Sequence, residues 1–325
     1  MDSLLQKSLF LFLALCCLTQ YTNAHPLKIC KLDQIYQLGD SISDTGNFIR
    51  QIPIETASAF ARLSYGETIF NNATGRCSNG LLIIDHIAMA AGLPFVRPYK
   101  NMDGHFKHGV NFAVAGSTAL PSQVLASKHI FCPVTTTSLH VQLEWMFTHF
   151  NSICFDHTDC VDKLENALFM VGEIGGNDYN YAFSKEKQWR IFQSNISEAY
   201  DENQCLNQFN EFAQYHNEQL QQAIFKLQQE KPNAIVVYGD YYNAYQFLLK
   251  FATHHGLETQ RACCGTGGKY NFDLKRMCGE DGDVPVCAEP NRYVSWDGVH
   301  LTQRGYKIMA AWLLHDIFPK LHCHF

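Results

Sequence analysis

Charge is scarce in this chain: Asp, Glu, Lys and Arg make up 17% of its 325 residues, and the acids outnumber the bases to leave a formal net charge of -6. A phosphate backbone selects for the opposite balance, which argues against nucleic acid as a partner. Disorder is excluded as well, because 46% hydrophobic and 13% aromatic residues supply ample apolar surface for a core. Also missing is any run of the roughly 20 apolar residues that a membrane helix needs, so no stable membrane span is expected. Neither an internal repeat nor a low-complexity linker divides the chain. Gly265, Thr266, Gly267 and Gly268 lack the Lys and the Ser or Thr that a phosphate loop requires. His315, His322, Cys323 and His324 stand in a tail prone to fraying, in a chain of 15 histidines, and are not read as a metal site.

What is present begins at the amino terminus. Lys7, the apolar run Ser8 to Leu18 and the small-residue exit Thr22, Asn23, Ala24 read as a signal peptide over residues 1–24. The rest, 25–325, reads as a single domain of a size routine for one α/β unit. The expected location is secreted, extracellular or vacuolar. Two acceptor sequons, Asn72 with Thr74 and Asn195 with Ser197, fit a glycoprotein. Cys16 and Cys17 fall in the leader, leaving 11 of the 13 cysteines, a density that in a secreted chain reads as disulfides. Cys154 and Cys160 can close a small loop, and Cys263, Cys264, Cys278 and Cys287 crowd another. The odd number leaves at least one unpaired.

Chemistry concentrates at two distant places. Gly39, Asp40 and Ser41 follow the apolar strand Ile35 to Leu38, and Asp297, Gly298, Val299 and His300 stand near the far end. A nucleophilic serine needs an imidazole to take its proton and a carboxylate to orient that imidazole. Ser41, His300 and Asp297 supply the three. Asp40, pointing away from its neighbour along an extended chain, reads as a structural hydrogen-bond acceptor. Strand-then-glycine grammar recurs at Gly109 to Gly116 and at Leu168 to Gly176, where glycines let backbone N–H groups approach a ligand. A fourth apolar run, Ala234 to Tyr238, ends at Gly239. In parallel sheets ligands sit beyond the carboxyl ends of the strands, where Ser41 projects.

Helical periodicity fills the gaps: Gly80 to Ala91 before the stop signals Gly92 and Pro94, Leu139 to Phe150, Gln208 to Gln229, and Leu301 to Phe318, which carries His300 at its start. The stripe Phe209, Phe212, Ala213, Leu220, Ala223, Ile224, Leu227 is expected to be core. Strands alternating with helices predict a parallel sheet with helices on both faces.

The four blocks GDSISDTGN (39–47), GVNFAVAGSTAL (109–120), VGEIGGNDYN (171–180) and WDGVHLT (296–302) together resemble those of the plant GDSL esterase/lipase branch of the SGNH hydrolases, in a subgroup resembling acetylajmalan esterase. The resemblance implies a flavodoxin-like three-layer α/β/α fold with a parallel central sheet. It implies Ser41 as nucleophile, His300 as general base and Asp297 as its orienting partner. The Ser41 and Gly116 N–H groups and the Asn177 side-chain amide would form the oxyanion hole. The serine mechanism requires no metal or organic cofactor, and the partner is a small-molecule ester.

Between about Lys187 and Tyr200 the chain departs from that family, whose members carry there an amphipathic helix and a strand ending in a Gly-Cys turn. Ser184 to Asn203 is polar and interrupted, so one central strand is expected to be absent. Each backbone group so left unsatisfied in a dry interior costs about 1 to 3 kcal/mol. The missing turn would also remove the cysteine expected to pair with Cys205. The reading is a secreted serine carboxylic-ester hydrolase working through an acyl-serine intermediate on small acyl esters of specialised metabolites or lipids. The alternatives are a catalytically impaired shortened relative or splice product, and an acyltransferase using the same site.

Overall fold

The computed structural model describes residues 26–51, 58–183, 199–273, 276–280 and 284–323. The signal segment, Asn195 and most of the divergent segment fall outside these residues. Strands β1 (Gln34–Leu38) and β2 (Ala167–Val171) pair in parallel, Gln34 opposite Ala167 through Leu38 opposite Val171. Residues 109–114 run extended along the other side of β1: Ile35 and Gln37 donate to the carbonyls of His108 and Val110, and Phe112 donates back to Gln37. Residues 97–99 line the far side of that segment through a parallel bridge between Pro98 and Asn111. The helices are α1 (Ile83–Ala91), α2 (Ser122–Ser127), α3 (Leu139–Ile153), α4 (His157–Leu164), α5 (Gly176–Phe183), α6 (Asn207–Glu230), α7 (Tyr241–His254) and α8 (Gln303–Ile317).

Alternation along the strands sorts side chains to two faces. Ile35, Leu168 and Met170 join the core built with α1, α7 and α8, around Ile84, Ile87, Leu248, Tyr306 and Met309. Tyr36 points the other way, with Val110 and Phe112, onto Trp145, Met146 and Phe150 of α3. Phe169 stacks on Tyr36 at 5.2 Å. Helices therefore cover both faces of a parallel sheet, the three-layer arrangement expected. Helix α1 ends as anticipated, with Gly92 left-handed at φ 73° and donating to the carbonyls of Ala88 and Met89.

Two expectations fail, for one reason. Residues 234–238 form no strand, and Ile235 is largely exposed. The apolar stripe of α6 is not core: no residue of that helix is buried, although Phe212 and Phe209 meet Tyr179 and Phe183 of α5. Among the described residues nothing pairs with the outer edge of β2, and Val171 stands 68% exposed there. Among the described residues no strand lies beyond β2, so α6 has no layer there to cover.

Disulfides link Cys30 to Cys323, Cys154 to Cys160, Cys263 to Cys287 and Cys264 to Cys278. Cys77, Cys132 and Cys205 are free, Cys205 as expected. Cys323 is thereby removed from the tail cluster, and among the described residues no group of three or more His, Cys, Asp or Glu is arranged to hold a metal ion. No helix of the described residues is long and apolar enough to cross a membrane.

Candidate active site

Ser41 stands in the turn that leaves the carboxyl end of β1. Asp44 shapes that turn: its carboxylate accepts the N–H groups of Gly46, Asn47 and Phe48, and that of Ala115 from the neighbouring segment. Asn47 donates to the carbonyls of Asn111 and Ala113, and Asn111 donates back to Ser43. The serine turn and residues 111–115 are thus tied together by buried polar groups, which hold position more strictly than the apolar contact of Phe48 with Val114 and Ala115 because a half-satisfied set is costly. Asp40 accepts the Ile42 N–H at 3.0 Å, the structural role expected of it, and burial pushes its carboxyl up to about 7.

His300 arrives just before α8, whose N-cap Thr302 accepts the Gly305 N–H at 3.2 Å. Asp297 folds the approach: its Oδ1 accepts the N–H groups of Val299 at 2.9 Å and His300 at 2.7 Å. Gly298 between them has φ 91° and lies directly against the Phe272 ring, so a β-carbon has neither the conformation nor the room. Disulfides brace this segment from below, since Cys263 and Cys264 donate their N–H groups to Ser295 and Trp296.

These local folds meet in one hydrogen-bonded line. Asp297 Oδ2 lies 2.7 Å from His300 Nδ1, and His300 Nε2 lies 2.9 Å from Ser41 Oγ. Asp297 and His300 are 1% and 4% exposed, so their interaction is little screened. Burial alone would lower the imidazole, but the Asp297 charge and hydrogen bond outweigh it and raise His300 above its ordinary 6.5. Burial likewise works to raise Asp297, and the His300 charge with three hydrogen bonds to the carboxylate bring it below 3.8. Phe60 meets the His300 ring edge to face at 5.8 Å.

Gly116 ends the segment beside β1 in a left-handed conformation, φ 81°, with Val134 packed on its α-carbon and its carbonyl accepting the Tyr181 hydroxyl at 2.8 Å. Among the described residues the N–H groups of Ser41 and Gly116 donate to no protein acceptor. Asn177 directs one side-chain N–H to the Ser117 carbonyl at 2.9 Å, beside Gly116, leaving the other. Asp178 accepts the N–H groups of Ala119 and Leu120, pinning residues 177–178 to the same loop.

Two contributors escape sequence reasoning. The Tyr65 hydroxyl donates to Asp297 Oδ2 at 2.8 Å. Gln142 of α3, fully buried, accepts the Gly39 N–H at 2.9 Å and donates to the Gly39 carbonyl at 2.8 Å and to Ser117 Oγ at 3.0 Å. A lone Gln on the inward face of a helix was the available signal for the second; for Tyr65 none stands out.

The family model for GDSL-like lipase/acylhydrolase matches residues 35–313. Acetylajmalan esterase 1 and acetylajmalan esterase 2 of Rauvolfia serpentina are 39% and 40% identical, each match covering 91% of this chain and 89% and 93% of the relative. A GDSL esterase/lipase of Arabidopsis thaliana is 37% identical over 90% of this chain and 88% of its own length. The first two alignments span 340 and 339 positions although this chain has 325 residues and is 91% covered. The relatives therefore carry internal residues absent here. The chain belongs to the GDSL-like lipase/acylhydrolase family and is a carboxylic-ester hydrolase.

Proposed function

We propose that this hydrolase is secreted and works through an acyl-serine intermediate at Ser41. The observation that carries the reading is the line Asp297, His300, Ser41, with separations of 2.7 and 2.9 Å. His300 Nε2 takes the Ser41 hydroxyl proton as Oγ bonds to the ester carbonyl carbon. The Asp297 carboxylate fixes the ring with its proton on Nδ1 and stabilises the imidazolium that forms. Charge developing on the carbonyl oxygen is met by the Ser41 and Gly116 N–H groups and the remaining Asn177 N–H, each such donor being worth about 3 kcal/mol of barrier. The tetrahedral species collapses, His300 passes its proton to the departing alkoxide, and the acyl group stays on Ser41. Water then repeats the cycle from the other side, releasing the acid.

The substrates we propose are small acyl esters of plant specialised metabolites or lipids, a class suggested by the relatives named acetylajmalan esterase. Asn72, exposed on the surface, and Asn195 are the proposed glycosylation sites. Hydrolysis of an acetyl and a longer-chain chromogenic ester by the secreted protein, beside its Ser41→Ala variant, tests the reading. Turnover of the acetyl ester that vanishes in the variant supports it, and undiminished turnover in the variant sinks it. A second reading, a catalytically impaired shortened relative, draws on the uncovered edge of β2 and the exposed stripe of α6. It predicts no turnover from either protein and no cooperative thermal unfolding.

A further inference from the structure

Behind the serine turn, an open cleft of about 390 Å3 is lined by Arg50, Arg76, Arg97, Phe70, Phe95 and Thr45, among others, and by none of Ser41, Asp297 or His300. In an acidic chain it gathers three guanidinium groups. Arg76 is committed: Nε and Nη2 donate to Asp85 at 2.9 and 2.8 Å, and Nη1 donates to Thr74 at 3.2 Å. Arg50 gives one N–H to the Gly46 carbonyl at 2.6 Å and is repelled by Arg76. Burial has the largest influence on Arg50 and lowers its pKa; the nearby Asp44 attracts the guanidinium more than Arg76 repels it, but the Asp44 carboxylate is already engaged by four backbone N–H groups. Arg97 is exposed and makes no side-chain hydrogen bond or ion pair among the described residues. Beside these cations stands an aromatic wall, with Phe70 and Phe95 edge to face at 6.3 Å and Arg76 over the Phe70 ring at 4.8 Å.

Neighbouring guanidiniums with uncommitted N–H groups favour an anion that accepts in their fork geometry. A hydrated inorganic anion gains nothing from an aromatic wall, whereas an aromatic acid uses both features. The volume lies in the range of small-molecule sites. We infer that this cleft binds a small aromatic carboxylate, its carboxylate held by Arg50 and Arg97 and its ring against Phe70 and Phe95.

The inference does not depend on catalysis and is tested without it, by calorimetric titration of full-length Ser41→Ala protein. The titration is repeated with Asn72→Gln added, because Asn72 lines the rim; binding confined to that variant would mean that a glycan at Asn72 shuts the cleft and would overturn the inference for the secreted protein. The probes are cinnamate, the neutral cinnamide and inorganic phosphate. Cinnamate is expected to bind one to one, with cinnamide and phosphate each at least about tenfold weaker. Arg97→Gln, at an exposed side chain, should weaken cinnamate about tenfold, or 1.4 kcal/mol, at an unchanged unfolding temperature. No cinnamate binding, equal affinity for cinnamide or phosphate, or indifference to both Arg97→Gln and Arg50→Gln would overturn the inference.

Discussion

Gln142→Met removes a side chain that touches no reacting atom but holds together the two pieces that flank the nucleophile. Met keeps the length of the side chain and deletes three hydrogen bonds, to the Gly39 N–H, the Gly39 carbonyl and Ser117 Oγ. Two of these groups retain partners, since the Gly39 carbonyl still accepts the Val114 N–H at 3.1 Å and Ser117 still donates to the Thr137 carbonyl. The Gly39 N–H is left buried and unpaired. One orphaned donor and two weakened acceptors amount to about 2 to 4 kcal/mol of lost stability, or roughly 3 to 6 °C in unfolding temperature for a domain of this size. Gly39 lies two residues before Ser41 and Ser117 one after Gly116, so the same change loosens nucleophile against oxyanion donor. A displacement of 1 Å there costs about a hundredfold in rate. Thermal unfolding, and kcat/KM on an acetyl chromogenic ester well below the transition, measure both effects. A Met variant with unchanged unfolding temperature and kcat/KM would refute the reasoning.

Asn177→Asp exchanges an amide donor for a carboxylate oxygen aimed at the developing oxyanion, and kcat should fall at least about a hundredfold; retention within twofold would remove Asn177 from the oxyanion hole. Only neutral His300 accepts the serine proton, so kcat/KM should rise with pH through an acid limb above the ordinary imidazole value of 6.5. Asp297→Asn leaves burial opposed only by the weaker influence of the Asp40 charge and should move that limb to lower pH as the rate drops, whereas an unmoved limb would assign it to another group. Asp297 itself, held below 3.8, contributes stability that is in place above that pH and is lost as pH falls through the lowered value; acid unfolding of the Asn variant should lack this component. Val171→Lys replaces a side chain that is 68% exposed on β2 and should leave the unfolding temperature unchanged within about 1 °C; a large drop would show that Val171 is covered in the folded protein.

How much was legible depended on how local the signal was. Ser41, Asp297, Gly298 and His300 sit in short motifs whose turns are folded by their own neighbours, the Asp297 carboxylate accepting the N–H groups of Val299 and His300, so the residues the motifs single out meet within hydrogen-bonding distance. Helices α1 and α8 were readable because caps and apolar spacing lie within each segment. The Cys154 and Cys160 pairing spans six residues and was anticipated, whereas Cys30 with Cys323 joins the two ends of the described chain across 293, a distance over which spacing carries no information. The stripe on α6 has the periodicity of a core helix, yet burial requires a partner layer, and periodicity says nothing about whether that layer exists. Gln142 and Tyr65 are single polar residues whose meaning appears only when distant segments meet.

The most direct test of the central claim is covalent trapping. Secreted protein treated with a fluorophosphonate, which reacts preferentially with an activated serine, is weighed intact and then mapped by peptide mass spectrometry. The account predicts one adduct, on Ser41, lost in His300→Ala when that variant is assayed folded, below its own unfolding transition. Folded protein that takes up no adduct, or carries it on another residue, would contradict it.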